Sequence, residues 1–214
     1  MSFTNHFYLY IALIFLAALC GVLFYRKRNR IILPVVIVLV CIFIFSVISF
    51  LAGRHLKESR PVDHFNTPVM LACWGYFFSQ VLEDPRFKKY VGWATITLIA
   101  YSIINSFITG LFITPSHVLQ AATIFYLILG ALLLVQMLDM PSKENIFTHT
   151  LFLIALAVVW FNMISSLNFF LFDLRRHHKP TGQFIGKIHW YSNYIYYSIL
   201  MIAMIFQKKL NRNV

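Results

Sequence analysis

The stretch KIHWYSNYIYYSILMIAMIF, Lys187 to Phe206, is long enough to cross a bilayer and changes character along its length. Its first half is crowded with polar and aromatic side chains, and its second half is nearly all aliphatic. His189 and Asn193 are separated by one helical turn, so a helix places them on one face. Because polar groups inside a membrane need partners, this stretch predicts polar side chains on the neighbouring helices.

The composition is that of a membrane protein. The chain has 214 residues, 60% hydrophobic and 12% charged, whereas a soluble domain has about 25% charged residues. The sequence predicts an all-α, polytopic bundle of seven transmembrane helices, multi-pass in the bacterial inner membrane with the lipid bilayer as a partner. The single domain 1–214 has spans at about 7–25, 32–52, 67–83, 90–110, 116–137, 148–171 and 187–207.

Prolines and glycine mark several of the predicted helix ends. Pro34 lies in the first turn of the second span, where a missing N–H costs little. Thr67-Pro68 predicts an N-cap and a first-turn proline for the third span. Glu83-Asp84-Pro85 closes that span, Gly110 ends the fourth, and Thr114-Pro115-Ser116 opens the fifth.

The basic residues predict an orientation with the N-terminus outside and the C-terminus inside. A net charge of +11 would favour nucleic acid in a soluble protein, but here the charges lie between spans, so no nucleic-acid partner is expected. The inner segments would hold Arg26, Lys27, Arg28, Arg30, Arg86, Lys88, Lys89, Lys143, Lys208, Lys209 and Arg212. The outer segments would hold Arg54, Lys57, Arg60, Arg175, Arg176, Lys179 and Lys187.

In this orientation most polar residues of the later spans lie in the outer half of the membrane. They predict an outer polar cluster with candidate ligand-binding residues His189, Asn193, Asn105, Asn162, Asn168, Gln120 and Tyr197. Such groups should face the bundle interior and bond to one another or to water. Two interpretations stay open: a pocket that opens to the outside, or interhelical contacts worth about 0.6–2 kcal/mol each.

Several classes of membrane protein are disfavoured because the chain lacks the residues that they require. No lysine lies in the middle of the last span, as a retinal protein requires, and His149 and His189 lie near opposite membrane sides, unlike paired haem ligands. All the acidic residues lie in loops or at span ends, which argues against an intramembrane aspartyl protease. The three cysteines lack metal or disulfide spacing. No catalytic residue, metal or cofactor is predicted, and an enzyme is the less favoured class.

The second half of the chain resembles a group of uncharacterised small seven-helix membrane proteins of Bacteroidota-type bacteria. The resemblance rests on IINSFI (103–108), WFNMISSLNFFLF (160–172) and IHWYSNYIYYSIL (188–200). Members tend to carry a histidine, an asparagine and a Tyr-Tyr pair in the last span, here His189, Asn193 and Tyr196-Tyr197. Many also carry an acidic residue in span three, which this chain lacks. Their genes often lie near two-component signalling genes, which implies a sensory or accessory role.

Two function classes follow. The first is a non-enzymatic sensory or accessory protein that reads an outside ligand and passes the signal to a membrane or cytoplasmic signalling partner. The second is a small transporter or channel for a neutral or weakly polar solute. A polar path continuing through Gln80 to the inner side would favour transport, and a cluster that stops at mid-membrane would favour sensing. A weaker third option is a lipid-modifying enzyme.

The predicted orientation is testable in intact cells. A single cysteine placed in the loop 172–187 should react with a membrane-impermeant maleimide added outside, because that loop is predicted to be outer. Labelling that requires permeabilised cells would reverse the predicted topology.

Overall fold

The computed structural model describes residues 3–25, 30–139, 147, 149–171 and 179–206. Across these ranges the chain forms seven α-helices and one short 3₁₀ helix, Arg30–Ile32, and it has no strand. The all-α prediction is therefore confirmed. The helices are α1 (Phe3–Tyr25), α2 (Leu33–His55), α3 (Arg60–Val81), α4 (Pro85–Thr109), α5 (Ser116–Asp139), α6 (Thr150–Phe170) and α7 (Lys179–Ile205).

Five segments of these helices are long and apolar enough to cross a membrane, namely Asn5–Phe24, Leu33–His55, Pro85–Thr109, Ser116–Asp139 and Thr150–Phe170. They indicate a multi-pass membrane protein. Helices α3 and α7 are not among them, because each carries a run of polar residues in its first half. Such residues tolerate hydrocarbon when other helices cover them.

Most of the predicted helix ends agree with the structure. Pro34 lies in the first turn of α2, and α5 begins at Ser116. Helix α4 ends before Gly110, whose φ of 83° lies where only glycine is unstrained. The Asp84 side chain caps α4 by accepting a hydrogen bond of 2.7 Å from the Arg86 N–H.

Helix α3 begins earlier than predicted. It starts at Arg60, with Pro61 as its first-turn proline, so Thr67-Pro68 lies inside the helix and does not start it. The Thr67 hydroxyl donates to the Asp63 carbonyl at 2.7 Å, a bond within the helix, and caps nothing. Pro61 satisfies the same first-turn preference as Pro68, and the sequence alone does not choose between the two prolines.

Side-chain contacts give the directions of the helices. His6 lies near Tyr194 and Tyr10 near Tyr197, so α1 and α7 run parallel. Helix α2 returns antiparallel to α1, because Phe7 meets Phe50 at the start of α1 and Gly21 meets Val36 at its end. We call the end of the bundle where α1 and α3 begin the upper end, and the opposite end the lower end.

The helices close into a ring. Helix α1 packs on α2 and α7, α2 on α3, α3 on α5, α5 on α6, and α6 on α7. Helix α4 packs mainly on α3 and to a lesser extent on α5. It buries a single stripe, Val91, Thr95, Ser102 and Asn105, which places it on the outside of the ring.

The fully buried apolar side chains concentrate in the lower half of the ring. They come from the start of α2 and α6 and from the end of α3, α5 and α7. Those in the lower half include Val35, Val38, Leu39, Phe77, Phe78, Leu133, Ile154, Leu200 and Met204. We call these nine side chains the dry core. Burying each such side chain stabilises the fold by roughly 1.5–3 kcal/mol.

The contact between α3 and α4 predicts a sensitive position at Gly75. A methyl group there would lie 2.9 Å from Thr95 Cβ and closer still to the Thr95 Oγ1 and Cγ2 atoms. We expect Gly75→Ala to destabilise the protein by about 1–3 kcal/mol, because overpacking forces two buried helices apart. The measurement is thermal unfolding in detergent.

Gly92→Ala is the control, since nothing lies within 4 Å of a Cβ built at Gly92. Adding Thr95→Gly to Gly75→Ala removes the obstructing side chain and should restore part of the lost stability. An unchanged melting temperature for Gly75→Ala alone would contradict the close packing of α3 on α4.

Candidate functional site

A cleft of about 570 Å³ opens at the upper end of the bundle, between α1, α2 and α3. Helix α2 supplies the largest share of its wall. The lining residues are Phe7, Tyr10, Phe45, Ser46, Ser49, Phe50, Gly53, Arg54, Ser59, Val62, Asp63 and Asn66. We call this space the upper cleft.

The upper cleft faces the axis of the ring. Helix α2 exposes Ile44, Ile48 and Leu51, each at 45–47% of its full surface, along one stripe. At 3.6 residues per turn, Ser46, Ser49 and Gly53 fall on the opposite side of the same helix. The exposed stripe is the one that lipid would cover, so the face that lines the cleft points inward.

The walls combine aromatic and polar groups. The Phe7 and Phe50 rings stack with centroids 4.7 Å apart and join α1 to α2. The Tyr10 hydroxyl lies 3.4 Å from the Ser46 hydroxyl. The cleft can therefore contact an apolar body along its rings and a polar group at its hydroxyls.

The cleft carries one acid and one base, Asp63 and Arg54. Among the described residues the ion pair formed is Arg60 with Glu58, and Asp63 and Arg54 do not form one. Asp63 precedes the predicted span 67–83 and is largely buried. Burial raises the pKa of the Asp63 carboxyl above its ordinary value, and the adjacent His64 opposes that rise.

Asn66 adds a polar group without a partner. Its side-chain oxygen is buried and accepts no hydrogen bond from the part of the chain that the structure describes. A buried amide oxygen left in this state costs roughly 1–3 kcal/mol. Asn66 lies one turn after Asp63 on α3, and both residues line the upper cleft.

Tyr10 lines the upper cleft and belongs to a series of packed aromatic rings. The rings of Tyr10 and Tyr197 meet edge to face at 5.6 Å, and Tyr197 packs on Tyr196 at 4.9 Å. Tyr196 in turn stacks on Phe161 of α6 at 4.6 Å. These rings link α1, α6 and α7 at the level where the dry core begins.

The predicted cluster residues occupy the same half of the bundle but do not line the cleft. Tyr197 is the member that reaches it, through Tyr10. Asn105, Asn162, Asn193 and Tyr197 are buried, whereas Asn168, Gln120 and His189 are partly buried. The His189 ring lies 5.7 Å from the Phe161 ring.

The buried amides bond largely within their own helices. The Asn162 amide donates to the Val158 carbonyl and the Asn193 amide to the His189 carbonyl, both at 2.8 Å. The Asn105 amide donates to the Thr109 hydroxyl at 3.3 Å. These bonds satisfy donors locally, so burial of the amides does not by itself require bonds between helices.

Interhelical hydrogen bonds at the upper end include those of two other histidines. His64 is 5% exposed, and its Nε2–H donates to the Ile113 carbonyl at 2.8 Å. Its Nδ1 lies 2.7 Å from the Ser106 hydroxyl of α4. His6 Nδ1 lies 2.8 Å from the Tyr194 hydroxyl, which joins α1 to α7.

Sequence reasoning missed most of the cleft. Ser46 and Ser49 are one turn apart within an otherwise apolar span, followed by Gly53, and that pattern marks a polar inner face. Asp63 lies before the predicted third span, among the acids of loops and span ends, whereas Asn66 lies at the start of that span but is not a predicted ligand-binding residue. Their one-turn spacing becomes meaningful once α3 begins at Arg60.

Among the described residues, no group of three or more His, Cys, Asp or Glu side chains is placed to hold a metal ion. No family model matches the chain, and no curated protein or solved structure matches it either.

The hydrogen bonds predict different roles for two equally buried side chains. His64→Leu should destabilise the protein by about 1–3 kcal/mol, because it removes bonds that join α3 to α4 and to the following turn. Asn162→Leu should cost less, since it removes a bond within α6 to a carbonyl that belongs to its own helix. Thermal unfolding of both variants checks the difference, and equal losses would contradict it.

Proposed function

We propose that the protein is a seven-span sensory or accessory component of the bacterial inner membrane that binds a small solute in the upper cleft. The N-terminus lies outside and the C-terminus inside, so the cleft opens to the outer side. The output passes to a membrane or cytoplasmic signalling partner. This role agrees with the one implied by the resemblance to the small seven-helix proteins.

One observation supports binding without passage. None of the residues that line the upper cleft belongs to the dry core, in which side chains such as Leu39, Phe77 and Leu133 are fully buried. A continuous channel requires polar or water-accessible groups along its whole length. Close-packed apolar side chains seal the lower half instead, which favours a site that holds its ligand over one that conducts it.

The distribution of charge supports the orientation. Among the described residues the upper end carries Arg54, Lys57, Arg60, Lys179 and Lys187, and the lower end carries Arg30 and, at the start of α4, the cluster Arg86, Lys88 and Lys89. In short loops the side richer in Lys and Arg is the cytoplasmic one. The predicted inner segments hold most of the basic residues of the chain, so the lower end is assigned to the inside.

Cysteine accessibility tests the proposal. In a protein whose Cys20, Cys41 and Cys73 are changed to alanine, Ser49→Cys should react with a membrane-impermeant maleimide added outside intact cells, because Ser49 lines the open cleft. Leu39→Cys, on the same helix but in the dry core, should stay unreactive. Both variants must be inserted at equal levels, which an epitope tag measures.

Three results are informative. Labelling of Ser49→Cys alone supports a dead-end cleft on the outer side. Labelling that needs permeabilised cells would reverse the orientation. Labelling of both positions from outside would show a water path through the dry core and would favour the transporter.

A further inference from the structure

The upper cleft carries an acceptor group that no donor of the described chain occupies. The Asp63 carboxyl lines the cleft and forms no ion pair with a described residue, and the Tyr10 hydroxyl lies 3.4 Å from the Ser46 hydroxyl. Acceptors that lack donors are satisfied by a ligand that supplies them. A ligand with several N–H donors and a positive charge would satisfy the Asp63 carboxyl.

The walls favour the same kind of ligand. Phe7, Phe45 and Phe50 present aromatic surface on two helices that face α3. Aromatic rings take up apolar chains and also attract an organic cation placed over their faces. Arg54 opposes a cation, but it is exposed at the mouth, where water and salt screen its charge.

From these observations we infer that the upper cleft binds an ammonium group on an apolar body, with the ammonium at Asp63 and the body against Phe7, Phe45 and Phe50. This inference rests on the proposed function, because it names the ligand class of the same cleft. Two sources share the chemistry: a free alkylamine, or the headgroup of an aminophospholipid.

The charge of the Asp63 carboxyl determines how binding is expected to depend on pH. Binding of an ammonium favours the ionised carboxyl, so binding weakens as the pH falls through the pKa of Asp63. That pKa is raised chiefly by burial and lowered by His64, which lies on the same helix but bonds towards α4. The other charged group facing the cleft is Arg54 of α2, which keeps its charge over the whole range.

Protection of Ser49→Cys from a thiol reagent measures occupancy. The cysteine variant, in nanodiscs of phosphatidylglycerol, is treated with methyl methanethiosulfonate, which is small and neutral. Hexylamine at ten times its dissociation constant should slow labelling about tenfold, because only the empty fraction reacts. Hexan-1-ol and hexanoate, which match its chain length without the ammonium, should not protect.

Asp63→Asn should abolish protection by hexylamine and leave the unprotected labelling rate unchanged, which shows that the cleft remains folded and open. Glu83→Gln is the matched control, an acid-to-amide change at the lower end that should keep full protection.

The lipid composition distinguishes the two sources. Protection by hexylamine in phosphatidylglycerol supports a free amine, whereas slow labelling in phosphatidylethanolamine without added amine, restored by Asp63→Asn, supports the lipid headgroup. If Ser49→Cys labels readily but neither hexylamine nor phosphatidylethanolamine protects it, the inferred ligand class is wrong, although the cleft is open. If Ser49→Cys never labels, the proposed cleft itself is wrong.

Discussion

The packing of α7 against α1 is the contact on which the rest of the structure depends. It joins the last helix to the first and turns a row of helices into a ring with an interior. His6 with Tyr194, and Tyr10 with Tyr197, supply this contact in the upper half. Without it, Tyr197 would have no aromatic partner on α1.

The ring is dry in its lower half and polar in its upper half, and this division limits what the protein can do. In the lower half, Leu, Val and Phe side chains fill the interior at close packing. In the upper half, the buried amides of α4, α6 and α7 bond within their own helices, whereas α1, α2 and α3 line an open cleft.

Much of the fold could be predicted from the sequence, because apolar runs and prolines determine the helices locally. The depth of the polar residues was also predictable, since their order along each span gives their height. The direction in which each polar side chain points around its helix was not predictable. The sequence predicted that Asn105, Asn162 and Asn193 would bond to other helices or to water, but each can satisfy its amide one turn away. The cleft instead uses Ser46, Asp63 and Asn66, whose common orientation depends on how α2 and α3 pack.

Helix α3 contributes both to the upper cleft and to the tight contact with α4. One of its faces carries Asp63 and Asn66 towards the cleft, and another carries His64 and Gly75 towards α4. The α4 face is tightly held, since His64 bonds to two segments and Gly75 admits no methyl group. The contacts of α2 in the upper half are looser, because none of its residues from Cys41 to His55 is fully buried. If a ligand draws the walls of the cleft together, α1 and α2 must therefore move towards α3, which stays fixed to α4.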